Sequence, residues 1–298
     1  MSNTEPAPSS TPPPGGVRIV TDSACDLPDD VIGAHGISVV PLTIRFGAEE
    51  FVDRIELSTA EFWARCATES LLPETAAPAP GAFETVYRDL ISHGASGIVV
   101  VSMSGALSAT LQSAQLAARS VGEDHSVGPV PIICVDSRTI TLGLGTIAVA
   151  CAELAATGAD VTAVAALAES LSTRTRVIGA LDTLENLKKG GRIGNAAALL
   201  ASALSIKPII EVVDGVVEQA GRQRTRSKAL ALLVERVRAY EGRIEHLSVL
   251  HADCSDVDDF VAMVEPLAAN SIMVGEIGPV IGTHAGRGTI GVAFHEIG

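Results

Sequence analysis

The stretch Gly97-Ile98-Val99-Val100-Val101-Ser102-Met103-Ser104 decides the fold. Its apolar run is continuous rather than alternating, as strands read when helices cover both faces of a parallel sheet. It stops at hydroxyl-bearing residues. The same pattern occurs upstream, where Val17-Arg18-Ile19-Val20 ends in Thr21-Asp22-Ser23, and downstream, where Pro131-Ile132-Ile133-Cys134-Val135 ends in Asp136-Ser137. Between the second and third runs, Leu107, Leu111, Ala114 and Ala118 recur at helical spacing. Strand, helix, strand alternation implies a parallel sheet. Ligands of such sheets sit outside the carboxyl ends of the strands, which directs attention to Ser104. A helix cap is the structural alternative for that serine.

Farther along, an Ala-rich helical stretch from about Ile140 to Leu171 breaks at Thr157-Gly158. Beyond it, Val177–Leu181, Pro208–Val213, Val216-Val217, His246–His251 and Ser271–Gly275 read as strands, with Asp214-Gly215 as a hairpin turn. Helices are expected over Lys228–Tyr240 and Val257–Leu267. The reading is two α/β domains, the first with a mostly parallel, Rossmann-like sheet and the second a mixed α/β sandwich. Their expected limits are 17–160 and 161–298, which suits a length of 298 residues. Residues 1–16, rich in Pro, Ser, Thr, Ala and Gly, are expected to form a disordered tail.

Composition removes several classes of function. Lys and Arg number 21 against 35 Asp and Glu, a formal charge of −14, the wrong sign for a phosphate-backbone binder. One Trp, two Tyr and six Phe are too few for base-stacking platforms, so no nucleic-acid partner is expected. The longest charge-free stretch, Leu90–Ala118, is interrupted by His93, Gly94, Ser96, Gln112 and others, so no membrane span is expected. Five scattered cysteines without a C-x-x-C pair indicate neither a disulfide frame nor a zinc knuckle. With no signal-peptide pattern at the N-terminus, the expected location is the cytoplasm.

Motifs for cofactors fare poorly. Gly286-Arg287-Gly288-Thr289-Ile290-Gly291 matches G-x-G-x-x-G, yet only seven residues follow it, too few for the helix, strand and acidic residue of a dinucleotide site. Gly143-Leu144-Gly145 is assigned to helix packing. No P-loop and no nucleophile elbow occur. His246 and His251, an odd number of residues apart on a strand, point to opposite faces. Neither a cofactor nor a metal is expected. A hydrolase pair of Ser104 and His284 remains an alternative, giving an acyl esterase. Lys188-Lys189-Gly190-Gly191-Arg192 gathers three cations around two glycines, as a solvated loop or a site for phosphate or an acidic partner.

Taken in order, Val20-Thr21-Asp22-Ser23 with Asp26-Leu27-Pro28, Val40-Pro41-Leu42, Thr75 before Pro78 and Pro80, and Ser104 with Leu107-Ser108-Ala109-Thr110 resemble the DegV family. The series continues through Val135-Asp136-Ser137, Leu187–Ile193, Ile206–Ile209, Arg224-Thr225 and Ile281–Gly288, and covers about Val17 to Gly298. Members of that family are similar to the fatty-acid-binding subunit of bacterial fatty acid kinase. The resemblance implies a long-chain free fatty acid held in an apolar tunnel between the domains and presented to a separate kinase subunit. It also implies a binding rather than catalytic role, with transient contact to membrane lipid. Thr75, Ser104 and His284 are the positions it assigns to the acid head group. Lys188, Lys189, Arg192 and Arg224 become candidates for kinase docking or for offsetting charge during phosphoryl transfer. The sequence departs from the family pattern at Ala76, Gly105 and Ala109.

Each site residue also has a structural reading. Thr75 would shape a Pro-rich turn, and His284 would satisfy backbone carbonyls. Thr21, Asp22, Ser23, Asp136 and Ser137 are assigned to bonding loop amides at strand ends.

Overall fold

A computed structural model of the chain describes residues 15–69, 72–126, 128–201 and 206–297. The expected N-terminal tail lies outside the described residues, apart from its last two positions. The first half runs β1 (Val17–Asp22), α1 (Asp29–His35), β2 (Ser38–Val40), β3 (Thr43–Phe46), β4 (Glu49–Val52), α2 (Thr59–Thr68), β5 (Glu74–Ala76), α3 (Pro80–Ser92), β6 (Gly97–Ser102), α4 (Thr110–Glu123) and β7 (Ile132–Asp136). β2, β1, β6 and β7 form a four-stranded sheet in that order, parallel throughout. Successive side chains divide between its faces, as the strand period requires. Val20, Val40, Ile98 and Val100 meet Phe83 and Tyr87 of α3 and Ala114 and Ala117 of α4. Val17, Ile19, Val99 and Val101 face the other way.

Across that second face lie α5 (Thr141–Ala156) and α6 (Val161–Arg174). They are the two helices of the Ala-rich stretch, separated at Thr157-Gly158 as the sequence indicates. Every residue of α5 from Thr141 to Val149 is buried, because the helix has a sheet on either side. Gly145 permits this. A Cβ there would stand 2.7 Å from the carbonyl oxygen of Cys25 and 2.8 Å from the Leu27 side chain.

The second half continues with β8 (Thr175–Ala180), α7 (Glu185–Lys189), β9 (Lys207–Val213), β10 (Val216–Gln223), α8 (Arg226–Arg238), β11 (Ile244–His251), α9 (Val257–Val264), β12 (Met273–Glu276), α10 (Pro279–Ala285) and β13 (Ile290–Glu296). Its mixed six-stranded sheet has the order β10-β9-β8-β13-β11-β12. Val177, Val212, Leu250 and Ala293 join the α5 core, whereas Ile178, Ile209, Val249, Val292 and Phe294 pack under α8 and α9. The result is five layers, helix, sheet, helix, sheet, helix.

The β9–β10 hairpin turns at Asp214 (φ 47°) and Gly215 (φ 82°), both left-handed as a two-residue hairpin demands.

Three features differ from the sequence reading. Leu107 precedes α4 instead of belonging to it, since the chain turns through Ser104–Leu107 first. A third sheet, β4-β3-β5, is antiparallel and carries Thr75. The glycine motif runs into β13, which begins at Ile290 within it and pairs with both β8 and β11 in the second sheet.

Candidate functional site

A cavity of about 160 Å³ lies where the two halves meet. Its walls are aliphatic: Leu42 and Met103 from the first half, Leu187, Ile210 and Val217 from the second, with Val280 and Ile281 of α10. Four side chains bring polar atoms to it: Thr75, Ser108, Arg192 and His284.

Thr75 stands on β5, in register with Ile44 of β3. His284 is near the end of α10, 209 residues later, and its Nε2 lies 3.0 Å from Thr75 Oγ1. Burial, reinforced by the nearby positive charge of Arg192, pushes the imidazole down to about 4. At neutral pH the ring is therefore uncharged, with one nitrogen donating and the other accepting. Nδ1 is buried without a hydrogen-bond partner. With the proton on Nε2 the ring donates to Thr75 Oγ1, and the threonine hydroxyl proton is free for a ligand. The other tautomer uses that proton up.

Ser104 is placed elsewhere. It is fully buried, its hydroxyl donates to the Gly215 carbonyl (2.7 Å) and accepts from the Ala106 amide (3.2 Å), and it is not among the cavity-lining residues. Ser104 and His284 therefore do not form the expected hydrolase pair, because the serine proton goes to the β9–β10 turn and the imidazole to Thr75. Ser104 does not cap α4 either. Its carbonyl accepts from the Leu107 and Ser108 amides, and the resulting turn brings both residues to the cavity. Ser108, which the sequence reading quoted without a role, accepts from the Thr110 amide (3.3 Å) at the start of α4.

Arg192 is half-buried. Its Nε donates to the Leu107 carbonyl (3.2 Å) and its Nη1 to the Gly190 carbonyl (2.6 Å), and among the described residues it has no carboxylate partner. Other half-buried arginines are paired, Arg88 with Asp124 and Arg226 with Asp256. Outside the aliphatic cavity a polar cleft of about 350 Å³ shares Thr75, His284 and Arg192 and adds Lys189, Asn186 and Glu74. Lys188 is exposed at the end of α7, and Arg224 lies just before α8, in neither cavity.

Strand-end acids behave as expected. Asp22 accepts from Ala24 N, Ser102 Oγ and Met103 N, and Asp136 from Gly105 N and Arg138 N. These bonds fix the loops that lead to the site.

The profile of a family described as uncharacterised proteins of the DegV family matches residues 16–296. The chain belongs to the DegV family. Its DegV relatives include a DegV domain-containing protein of Streptomyces coelicolor, 36% identical over 282 residues, covering 93% of this chain and 97% of that one. Another, from Deinococcus radiodurans, is 34% identical and covers 94% and 99%. Among solved DegV structures, one from Thermus thermophilus described by its fatty acid binding is 34% identical, with a TM-score of 0.86 over 95% of this chain and all of that one. The Bacillus subtilis DegV, described as a fatty acid binding protein, is 26% identical, with a TM-score of 0.80 over 94% and 99%.

Among the described residues, no helix is long and apolar enough to cross a membrane.

Proposed function

We propose that this protein binds a long-chain fatty acid, with the tail in the aliphatic cavity and the carboxylate at Thr75 and His284, and presents it to a separate kinase subunit. The carrying observation is the Thr75–His284 contact at an aliphatic cavity that also holds a half-buried arginine with no acid partner among the described residues. The Thermus and Bacillus relatives, both described as binding fatty acid, support it.

Each methylene leaving water contributes about 0.8 kcal/mol, so the tail supplies most of the affinity. An apolar cavity of about 150 Å³ accommodates one benzene ring. A tail longer than about six carbons therefore has to spread the aliphatic walls. Head-group selectivity comes from the Thr75 hydroxyl, the Ser108 hydroxyl and Arg192, the last supplying the charge that a neutral His284 does not. In this arrangement Ser104 acts by holding the turn that presents Ser108.

Mass spectrometry of lipid extracted from native protein is expected to find one free fatty acid per chain. Thr75→Val should weaken acid binding roughly tenfold to hundredfold, the loss of one hydrogen bond to a charged group, and His284→Ala about tenfold, the loss of the neutral bond that orients the Thr75 hydroxyl. Ser104→Ala should weaken it less. Unchanged affinity in both the Thr75 and His284 variants would contradict the assignment. The kinase role predicts that charge reversal of Lys188, which is exposed and lines neither cavity, lowers phosphorylation of the bound acid by the partner kinase while acid affinity is unchanged.

A further inference from the structure

Helix α10 carries His284 together with two aliphatic wall residues, Val280 and Ile281, and is only seven residues long. So short a helix has little stability of its own, and its place depends on what grips it. Another of its faces is set with glycines: Gly278, Gly282 and Gly286 recur every four residues, the first and last at its two caps. Each lies against a different part of the chain. A Cβ on Gly278 would stand 2.9 Å from Asp26 Oδ1, one on Gly282 2.8 Å from Trp63 and 2.9 Å from Phe62, and one on Gly286 3.4 Å from the Asn186 amide group.

At the two ends of α10 the grip is a hydrogen bond, and the two bonds come from opposite halves of the molecule. Asp26, in the turn after β1, accepts from the Gly278 amide (3.0 Å), one of the amides that a helix start leaves unmatched. Asn186 of α7 donates through Nδ2 to the Thr283 carbonyl (3.1 Å), in the last turn and one residue before His284. Asp26 is buried and left-handed (φ 50°), a conformation that glycine takes freely and an L-residue does not. A glycine there could not reach Gly278. Backbone strain of this kind persists where the surroundings over-determine a residue, and it gathers at functional sites.

We propose that Asp26 and Asn186 are positioning residues that anchor the two ends of α10, and so hold the His284 imidazole at hydrogen-bond distance from Thr75. The Thr75–His284 bond, at 3.0 Å, has about 0.5 Å of slack before it is lost. A slide of one residue along a helix axis, about 1.5 Å, would break it. Neither anchor lines the aliphatic cavity, so both act through α10. The consequence for acid affinity rests on the fatty-acid reading, whereas the anchoring itself is measured without ligand.

The full chain, delipidated and isotopically labelled at nitrogen, is followed by long-range proton–nitrogen correlation of its histidine rings. The His284 signal, identified by its loss in His284→Ala, should show one fixed tautomer, and Thr75→Val should shift its Nε2. Asp26→Ala and Asn186→Ala should each move that nitrogen as far as Thr75→Val does. Asp26→Asn, whose amide oxygen still accepts from Gly278, should restore it. Titration with labelled fatty acid should find each alanine variant about tenfold weaker than wild type, yet less than twofold weaker than its parent in a His284→Ala background. A purely structural role would lower affinity equally in both backgrounds. Should Asp26→Ala fail to fold, Asn186→Ala, at the half-buried end of the helix, decides by the same readings. An unmoved His284 nitrogen in the alanine variants, no restoration by Asp26→Asn, or an equal loss of affinity in the two backgrounds would each overturn the proposal. A wild-type chain that takes up no fatty acid, its nitrogen shifts moving as described, would uphold the anchoring and contradict the proposed function alone.

Discussion

Gly190 sets how closely the loop after α7 can approach the imidazole of His284, because a Cβ at that position would collide with Nδ1. Gly190→Ala should push the ring away from Thr75 and lower acid affinity about tenfold, the loss of one net hydrogen bond. A titration with labelled fatty acid checks this. A second buried imidazole bears on stability rather than binding. His295 bonds Thr175 Oγ1 through Nδ1 (2.8 Å), and burial pushes it down to about 3. Because the folded value lies below the unfolded one, its stabilisation is complete above pH 6.5 and is lost as pH falls toward 3. Between pH 7 and 5 that loss is about 2 kcal/mol. His295→Asn should flatten the fall in urea-unfolding free energy over the same interval by about that amount.

Helix α5 illustrates how the same substitution takes opposite signs on different elements. Gly145→Ala would drive a methyl into Cys25 and Leu27, and should cost about 1–3 kcal/mol in urea unfolding. Gly33 of α1 has open space and an ordinary helical backbone, so Gly33→Ala should add about 0.5–1 kcal/mol. Most such elements could be read from the chain. β1, β6 and β7 announce themselves by apolar runs ending in Asp and Ser, and β9–β10 by Asp214-Gly215. β13 was hidden because its opening, Ile290-Gly291, overlaps a glycine motif. Gly291 is there for close contact with Ile178, a reason visible only once β8 is known to be its neighbour. The three-residue β5 carries too short a pattern to stand out, although Ile44 and Phe46 of β3 alternate with exposed Arg45.

In the whole molecule both sheets share one core through α5, since Val17 and Val99 belong to the same cluster as Val177 and Leu250. The chain should therefore unfold in a single step. Scanning calorimetry is expected to give one peak with equal calorimetric and van't Hoff enthalpies, and two resolved peaks would show that the halves melt separately. The site draws on the same union of halves, which limits what the chain alone reveals about it. Resemblance singled out Thr75 and His284, but no local pattern links residues 209 positions apart. Ser104 drew notice through its strand end, while the turn it supports passes the position at the cavity to Ser108. Arg192 was legible as a cation, while only the fold shows that it has no acid partner among the described residues. The sole tryptophan, Trp63 of α2, lies against Gly282, one residue from the cavity wall at Ile281 and two from His284. Its emission, uncontaminated by any other indole, should act as a built-in gauge of occupancy, changing when an acyl tail enters and returning when delipidated albumin draws it out.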